Sequence, residues 1–146
     1  MNQNLPSQTL STVAGNAADL EDAFPLVDPG AIPLGARVLV QLRKAKKRMT
    51  QSGIILPEET RDTERAQNPV AKVIAFGPLA FKKRDTMEPW VEGIWCEIGD
   101  YLRVPKWTGD RWVVPHGEEN VEFMVLNDHE VIAKITGNPL QVRAFI

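Results

Sequence analysis

The side chains that could carry out catalysis are few and widely separated in this chain. The two histidines are His116 and His129, and the single cysteine is Cys96. Neither histidine lies at a spacing that predicts a metal site with Cys96 or with a pair of carboxylates. The run Asp128-His129-Glu130 is interpreted as a solvated turn, because adjacent residues on a turn rarely converge on one point. With no glycine-rich phosphate loop and no nucleophile elbow, the sequence predicts neither an enzyme nor a metal or cofactor site.

The composition excludes several function classes. A chain of 146 residues that is 43% hydrophobic and 25% charged suits one modest soluble domain with tails. A formal charge of -2 does not suggest a nucleic-acid binder. No apolar run reaches the roughly 20 residues that span a bilayer, and the polar start of the chain lacks the pattern of a secretory signal. We therefore predict a cytoplasmic protein that contacts neither nucleic acid nor membrane, in which Cys96 is a buried structural thiol.

An apolar island within a long polar stretch is the strongest sign of function. Residues 43–68 are too long for an ordinary connection, with a basic start that we interpret as solvated and a polar end. Between these lies Gly53-Ile54-Ile55-Leu56-Pro57. Burying such aliphatic side chains contributes roughly 1.5–3 kcal/mol each, so we predict that they form a binding tip for a partner protein; the alternative is an edge strand. Ordering a long loop is costly, so several loops acting together, in an oligomer, would bind better than one.

Alternating apolar residues after residue 30 predict an all-β fold, a small barrel or sandwich. Period-two patterns predict the strands Ala36–Leu42, Val70–Phe76, Tyr101–Val104, Val121–Leu126 and Val131–Ile135. A hairpin is predicted over Trp107–Trp112, whose tryptophans would cover the barrel or a subunit contact. Residues 140–146 are predicted to add a C-terminal strand.

The first 30 residues are predicted to be separate from the barrel, which would span residues 31–136 and be followed by an extension over 137–146. A short helix could begin after Asn16 as its N-cap and end before Pro25. The favoured interpretation is a leader without fixed structure. The alternative is an arm that docks on a neighbouring subunit through Leu20 and Phe24.

Six motifs between Ile32 and Ile135 resemble, in order and spacing, those of the GroES-type co-chaperonins. They are Pro33-Leu34 with Arg37-Val38-Leu39-Val40, the loop Ser52-Gly53-Ile54-Ile55-Leu56-Pro57, the strand 71–77 ending in Gly77, Ile98-Gly99-Asp100-Tyr101-Leu102, Phe123-Met124-Val125-Leu126, and Glu130-Val131-Ile132-Ala133-Lys134-Ile135. The sequence departs from the family at Ser52, which replaces a glycine, and over residues 79–97, which do not match.

The resemblance implies a GroES-like β-barrel with a long mobile loop, assembled in a ring, usually of seven subunits, that caps a chaperonin folding chamber. Ile54, Ile55 and Leu56 would dock on the apical domain of a GroEL-type chaperonin, with Gly53 as the hinge of the loop.

The resemblance also implies that the first and last strands pair between neighbouring subunits, here Ala36–Leu42 against Val131–Ile135. The contact residues would be Val38, Val40, Val131, Ile132 and Ile135.

The unmatched arm and tail resemble the extensions of co-chaperonins encoded by bacteriophages, which would act in the host cytoplasm. They also raise an alternative of a different class. The same barrel could serve as a capsid or other virion protein that laces its neighbours together with its arm, loop and tail.

Overall fold

The structure, a computed structural model, describes residues 17–44 and 69–142. The predicted partner-binding residues Gly53, Ile54, Ile55 and Leu56 lie outside the described residues, as do Asn16 and residues 143–146. The described residues form a helix, six strands and one 3-10 turn: α1 (Ala17–Ala23), β1 (Arg37–Leu42), β2 (Val70–Phe76), β3 (Tyr101–Arg103), β4 (Asp110–His116), β5 (Glu119–Asn127), the turn Asp128–Glu130, and β6 (Ala133–Lys134).

The six strands form one antiparallel sheet in the order β4-β5-β1-β2-β3-β6, which confirms the predicted all-β fold. Strand β1 lies between β5 and β2, so both of its edges are paired within the sheet. The edges of the sheet are β4 and β6. The strand predicted over Val131–Ile135 shortens to the two residues of β6.

The inward face of this sheet surrounds the main core. Its side chains alternate along each strand, as the period-two pattern predicts. Ring contacts close one side of the core, because Phe81 packs with its centroid 5.4 Å from that of Trp90 and 5.8 Å from that of Trp95. The buried members of this core on the strands are Val38, Val40, Leu42, Ala71, Val73, Leu102, Met124 and Leu126.

The outward face of β1 is also buried, whereas the period-two pattern that predicted this strand is typical of a strand with one solvated face. Residues 24–30 lie across this face after leaving α1. The side-chain amide of Gln41 donates to the carbonyl of Pro25 at 2.9 Å, and the indole N–H of Trp112 donates to the carbonyl of Pro29 at 2.8 Å. The described part of the predicted leader therefore packs on its own chain.

The hairpin predicted over Trp107–Trp112 is wrong. The hairpin joins β4 to β5, with His116 opposite Glu119 and a two-residue turn between them. Gly117 has a φ of +63°, which such tight turns require at their first position. Gly109, at the predicted tip, lies instead against β5, where an added Cβ would meet Met124 Cγ at 2.9 Å.

The predicted solvated turn is solvated only in part, because His129 is exposed whereas Asp128 before it is buried. Asp128 is only 3% exposed, and its carboxylate accepts a 2.8 Å hydrogen bond from the backbone N–H of Phe81. Phe81 has a φ of +59°, a backbone conformation that costs energy for a non-glycine residue. The carboxylate thus anchors the start of the 79–97 excursion and places the Phe81 ring in the core.

The C-terminal strand predicted from residue 140 is wrong over residues 140–142, which form a turn and a bend. The side chain of Asn138 accepts the backbone N–H of Leu140 at 2.9 Å, and its carbonyl accepts that of Gln141 at 3.0 Å. An asparagine followed by Pro139 favours such a turn, because the side-chain bond competes with strand pairing.

Candidate partner-binding site

The two ends of segment 45–68 lie side by side on the sheet. Leu42, the last residue of β1, pairs with Ala71 of β2. One residue further, the backbone N–H of Arg43 donates to the carbonyl of Val70 at 2.9 Å. The segment that carries the predicted tip therefore leaves and rejoins the barrel at one place.

Arg43 links this place to the C-terminal extension. Its guanidinium donates to the carbonyls of Pro139 and Val142, each at 2.7 Å. Burial, and to a lesser extent the nearby positive charge of Arg103, lowers the pKa of Arg43. A buried cation needs hydrogen-bond acceptors to offset its lost hydration, and the tail supplies two of them.

Lys44 links the same place to the N-terminal extension. Its backbone N–H donates to the carbonyl of Ala23, at the end of α1, at 3.0 Å. Its ammonium group pairs with the carboxylate of Glu119 and lies 3.9 Å from that of Asp22. Residues at the end of β1 are thus bonded to both extensions.

An apolar cluster lies directly beneath these bonds. The ring of Phe24 contacts that of Tyr101, with centroids 5.1 Å apart, and burial raises the pKa of the Tyr101 phenol. The buried members are Ala23, Phe24 and Val70, and the half-buried ones are Leu20, Tyr101, Ile135, Leu140 and Val142. Leu20 and Phe24 therefore pack on their own chain, whereas the alternative interpretation of the arm placed them against a neighbouring subunit.

The residues predicted for the subunit contact are not brought together on one surface. Val38 and Val40 are fully buried in the core, and both edges of β1 are already paired within the chain. Intersubunit pairing through Ala36–Leu42 needs a free edge, so this part of the prediction is corrected.

The residues near β6 differ among themselves. Val131 is buried, and Ile135 is half-buried against the cluster beneath Arg43. Ile132 is 62% exposed. Of the five predicted contact residues, only Ile132 is mostly exposed.

Two features of this region escaped the sequence reasoning. Arg43 directly follows β1 and precedes a run of basic residues, so no sequence pattern separates it from them. Ile32 and Leu34 are 78% and 63% exposed, whereas Pro33 between them is buried. Their alternating exposure continues the period-two pattern of the sequence into the residues before β1.

The environment of Cys96 does not favour a reactive thiol. Burial, aided by the nearby Asp100 carboxylate and opposed by Lys134, raises the pKa of Cys96 from 9.0 to about 11. A buried, protonated thiol is a poor nucleophile. Within residues 17–44 and 69–142, no group of three or more histidine, cysteine or acidic side chains could hold a metal ion.

The tryptophans differ in environment. Trp112 stacks on Phe123, with centroids 6.0 Å apart, and so covers the sheet as predicted. Trp107 is exposed.

As for membranes, no helix in the described ranges is long and apolar enough to cross one.

Comparison with known proteins agrees with this arrangement. The family described as Chaperonin 10 Kd subunit matches residues 31–135. The chain is 26% identical over 103 residues to the Co-chaperonin GroES of Syntrophomonas wolfei subsp. wolfei (strain DSM 2245B / Goettingen), an alignment that covers 70% of this chain and 95% of that protein. It is 32% identical over 112 residues to the Co-chaperonin GroES of Methylacidiphilum infernorum (isolate V4), covering 77% of this chain and 100% of that protein.

The family match spans the sheet, the paired ends of segment 45–68 and the 79–97 excursion. The helix α1 and residues 136–142 lie outside it. This chain therefore belongs to the chaperonin 10 kDa subunit family, the GroES-type co-chaperonins.

Proposed function

We propose that this protein is a cytoplasmic co-chaperonin that assists protein folding by capping a GroEL-type chaperonin through Ile54, Ile55 and Leu56. Family membership supports the role. The observation that carries the mechanism is the 2.9 Å bond from Arg43 to Val70. Because both ends of segment 45–68 are tied to neighbouring strands, an apolar tripeptide within that segment is presented from one place on the barrel.

The proposed contact is aliphatic, with Gly53 as the hinge. Each docked aliphatic side chain contributes roughly 1.5–3 kcal/mol, which is offset in part by the cost of ordering the segment. Repetition of the contact around a ring converts later contacts into intramolecular ones. The proposed function therefore includes assembly into a ring, for which we propose seven subunits.

For the ring contact we propose the free edge of β6 and the extended segment before β1. Ile132 beside β6 and Ile32 and Leu34 before β1 are exposed apolar side chains. Burial of such side chains between subunits removes them from water. This contact replaces the one predicted through Val38 and Val40, which lie in the core.

The experiment compares Ile55→Asp with the parent protein in co-sedimentation with a nucleotide-loaded chaperonin and in refolding of a denatured client. We expect loss of both for Ile55→Asp, with the ring mass unchanged by native mass spectrometry. Val91→Asp is the matched control, because Val91 is 98% exposed on the 79–97 excursion. Equal binding by Ile55→Asp and Val91→Asp would contradict the proposed contact.

The virion alternative is not carried forward. It requires the arm and tail to reach neighbouring subunits. In the described ranges the arm instead packs across β1, and the tail carbonyls bond to Arg43 of the same chain.

A further inference from the structure

Both extensions that lie outside the family match arrive at the ends of segment 45–68. The match covers residues 31–135. The helix α1 and Phe24 come before it, and residues 138–142 come after it. The extensions could have packed anywhere on the barrel, yet each contacts residues 43 and 44 or the start of β2.

The hydrogen bonds that join the two extensions to Arg43 and Lys44 are of one kind. The acceptors are backbone carbonyls of the extensions, those of Ala23, Pro139 and Val142, and the donors belong to Arg43 and Lys44. Bonds from the half-buried guanidinium of Arg43 are charge-assisted and so stronger than neutral ones. The last two described residues before segment 45–68 are thus held from both sides.

The apolar cluster holds the other end of the segment. Val70, the first residue of β2, is fully buried together with Phe24, and Leu140 and Val142 from the tail pack against the same cluster. The N-terminal and C-terminal extensions therefore form one structure around both ends of the segment.

We propose that residues 17–24 and 138–142 form a collar that fixes the direction in which segment 45–68 leaves the barrel, with Arg43 as a positioning residue for partner binding. The proposal rests on the function proposed above, because direction matters only if the segment docks on a partner. Holding the ends before docking lowers the conformational entropy lost on docking. If the collar only stabilised the barrel, weakening the collar would lower the stability of the protein and leave its affinity for the partner unchanged.

The first measurement needs no partner. Arg43→Met keeps the apolar stem and removes the two guanidinium bonds, and Arg84→Met is the matched control at an exposed arginine. We expect backbone amide exchange at Arg43 and Lys44 to become about ten-fold faster in Arg43→Met, with exchange at the core residue Val40 unchanged. The same exchange rates as in Arg84→Met would overturn the collar.

The second measurement is affinity for a nucleotide-loaded chaperonin, with full-length rings. We expect Arg43→Met to weaken binding about ten-fold, Arg43→Lys to restore part of the loss, and Arg84→Met to bind like the parent. A chain ending at Asn138, which lacks both acceptor carbonyls and the apolar side chains of Leu140 and Val142, should lose at least as much affinity as Arg43→Met, and adding Arg43→Met to it should change little.

The outcomes separate the two proposals. Binding by Arg43→Met that equals that of Arg84→Met, with intact rings, would overturn the positioning role while leaving the proposed function in place. A parent protein that fails to bind any chaperonin would overturn the proposed function, and amide exchange would still decide whether the collar holds the segment ends. If Arg43→Met does not assemble, the chain ending at Asn138 and Arg43→Lys decide the question.

Discussion

The barrel interior and the collar are both apolar clusters on the same sheet, but they are attached to it differently. The interior consists of side chains that alternate along the strands themselves. The collar consists of segments from the two chain termini, joined through backbone carbonyls to Arg43 and Lys44. The first arrangement should unfold only with the whole domain, whereas the second can open locally. We therefore expect the interior to determine the stability of the domain and the collar to affect how segment 45–68 is presented.

The largest effect is expected from Leu102→Ala in the interior. Leu102 is fully buried in β3, so its truncation leaves a cavity in a closed core and should lower the free energy of unfolding by about 2–5 kcal/mol. Chemical denaturation followed by circular dichroism measures this loss. Ile98→Ala, at an exposed position, should change it by less than about 0.5 kcal/mol. Similar losses for both variants would contradict a closed interior.

A smaller and local effect is expected from Phe24→Ala in the collar. Although Phe24 is buried, the arm can detach instead of leaving a cavity, so we expect a loss of about 1–2 kcal/mol. Amide exchange should quicken at Lys44, whose bond to Ala23 depends on the docked arm, while exchange in β5 stays slow. Uniformly faster exchange across the sheet would show that collar and interior are one cooperative unit.

At alkaline pH, the variant Cys96→Ala provides a test of the interior. The folded chain raises the pKa of Cys96 to about 11, so the thiolate is disfavoured by folding. The contribution of this group to stability is therefore fully present below its ordinary pKa of 9.0 and is lost as the pH rises through about 11. Cys96→Ala should reduce the decline in stability over that range, measured by denaturation at a series of pH values. An identical decline in both proteins would show that Cys96 has no part in it.

At pH 8 the same shift predicts slow alkylation of Cys96. A thiol whose pKa is about 11 instead of 9.0 has about a hundred-fold less thiolate at this pH. Reaction at the rate of a free cysteine peptide would mean that the interior opens readily at this position.

The smallest effect is expected from Lys44→Met at the collar. The ammonium group bridges partly exposed carboxylates on Asp22 and Glu119, and such pairs contribute less than about 1 kcal/mol. We expect this loss to shrink further at high salt, because screening weakens exposed pairs. A loss as large as that of Phe24→Ala would mean that charge, and not apolar packing, holds the arm.

The sequence predicted the strands of the barrel more accurately than the contacts that the extensions and the 79–97 excursion make with it. Strands β1, β2 and β5 were found because alternation with period two is a property of the residues themselves. The hairpin was misplaced because Gly109 and Gly117 carry the same turn signal, and only the approach of Gly109 to Met124 separates them.

The attachments depend on partners distant in sequence. In the sequence, Arg43 cannot be distinguished from the basic residues that follow it. The groups that it binds are backbone carbonyls, which every residue carries, so the side chains of the tail do not reveal the contact. Asp128 was predicted to be solvated because its partner is a backbone N–H at Phe81, across the fold. The candidate tip, Ile54-Ile55-Leu56, was found as an apolar island and through family resemblance, and its role stays a prediction.

The form of the bonds at Arg43 has a consequence for how this chain can change over generations. Because the guanidinium donates its hydrogen bonds to the carbonyls of Pro139 and Val142, the tail can accept substitutions as long as the turn at Asn138 and the apolar character of residues 140 and 142 are kept. The tail can therefore diverge quickly between related proteins while its docking persists. Sequence drift there would hide the shared structure from alignment and leave one arginine, on the barrel side, as its marker.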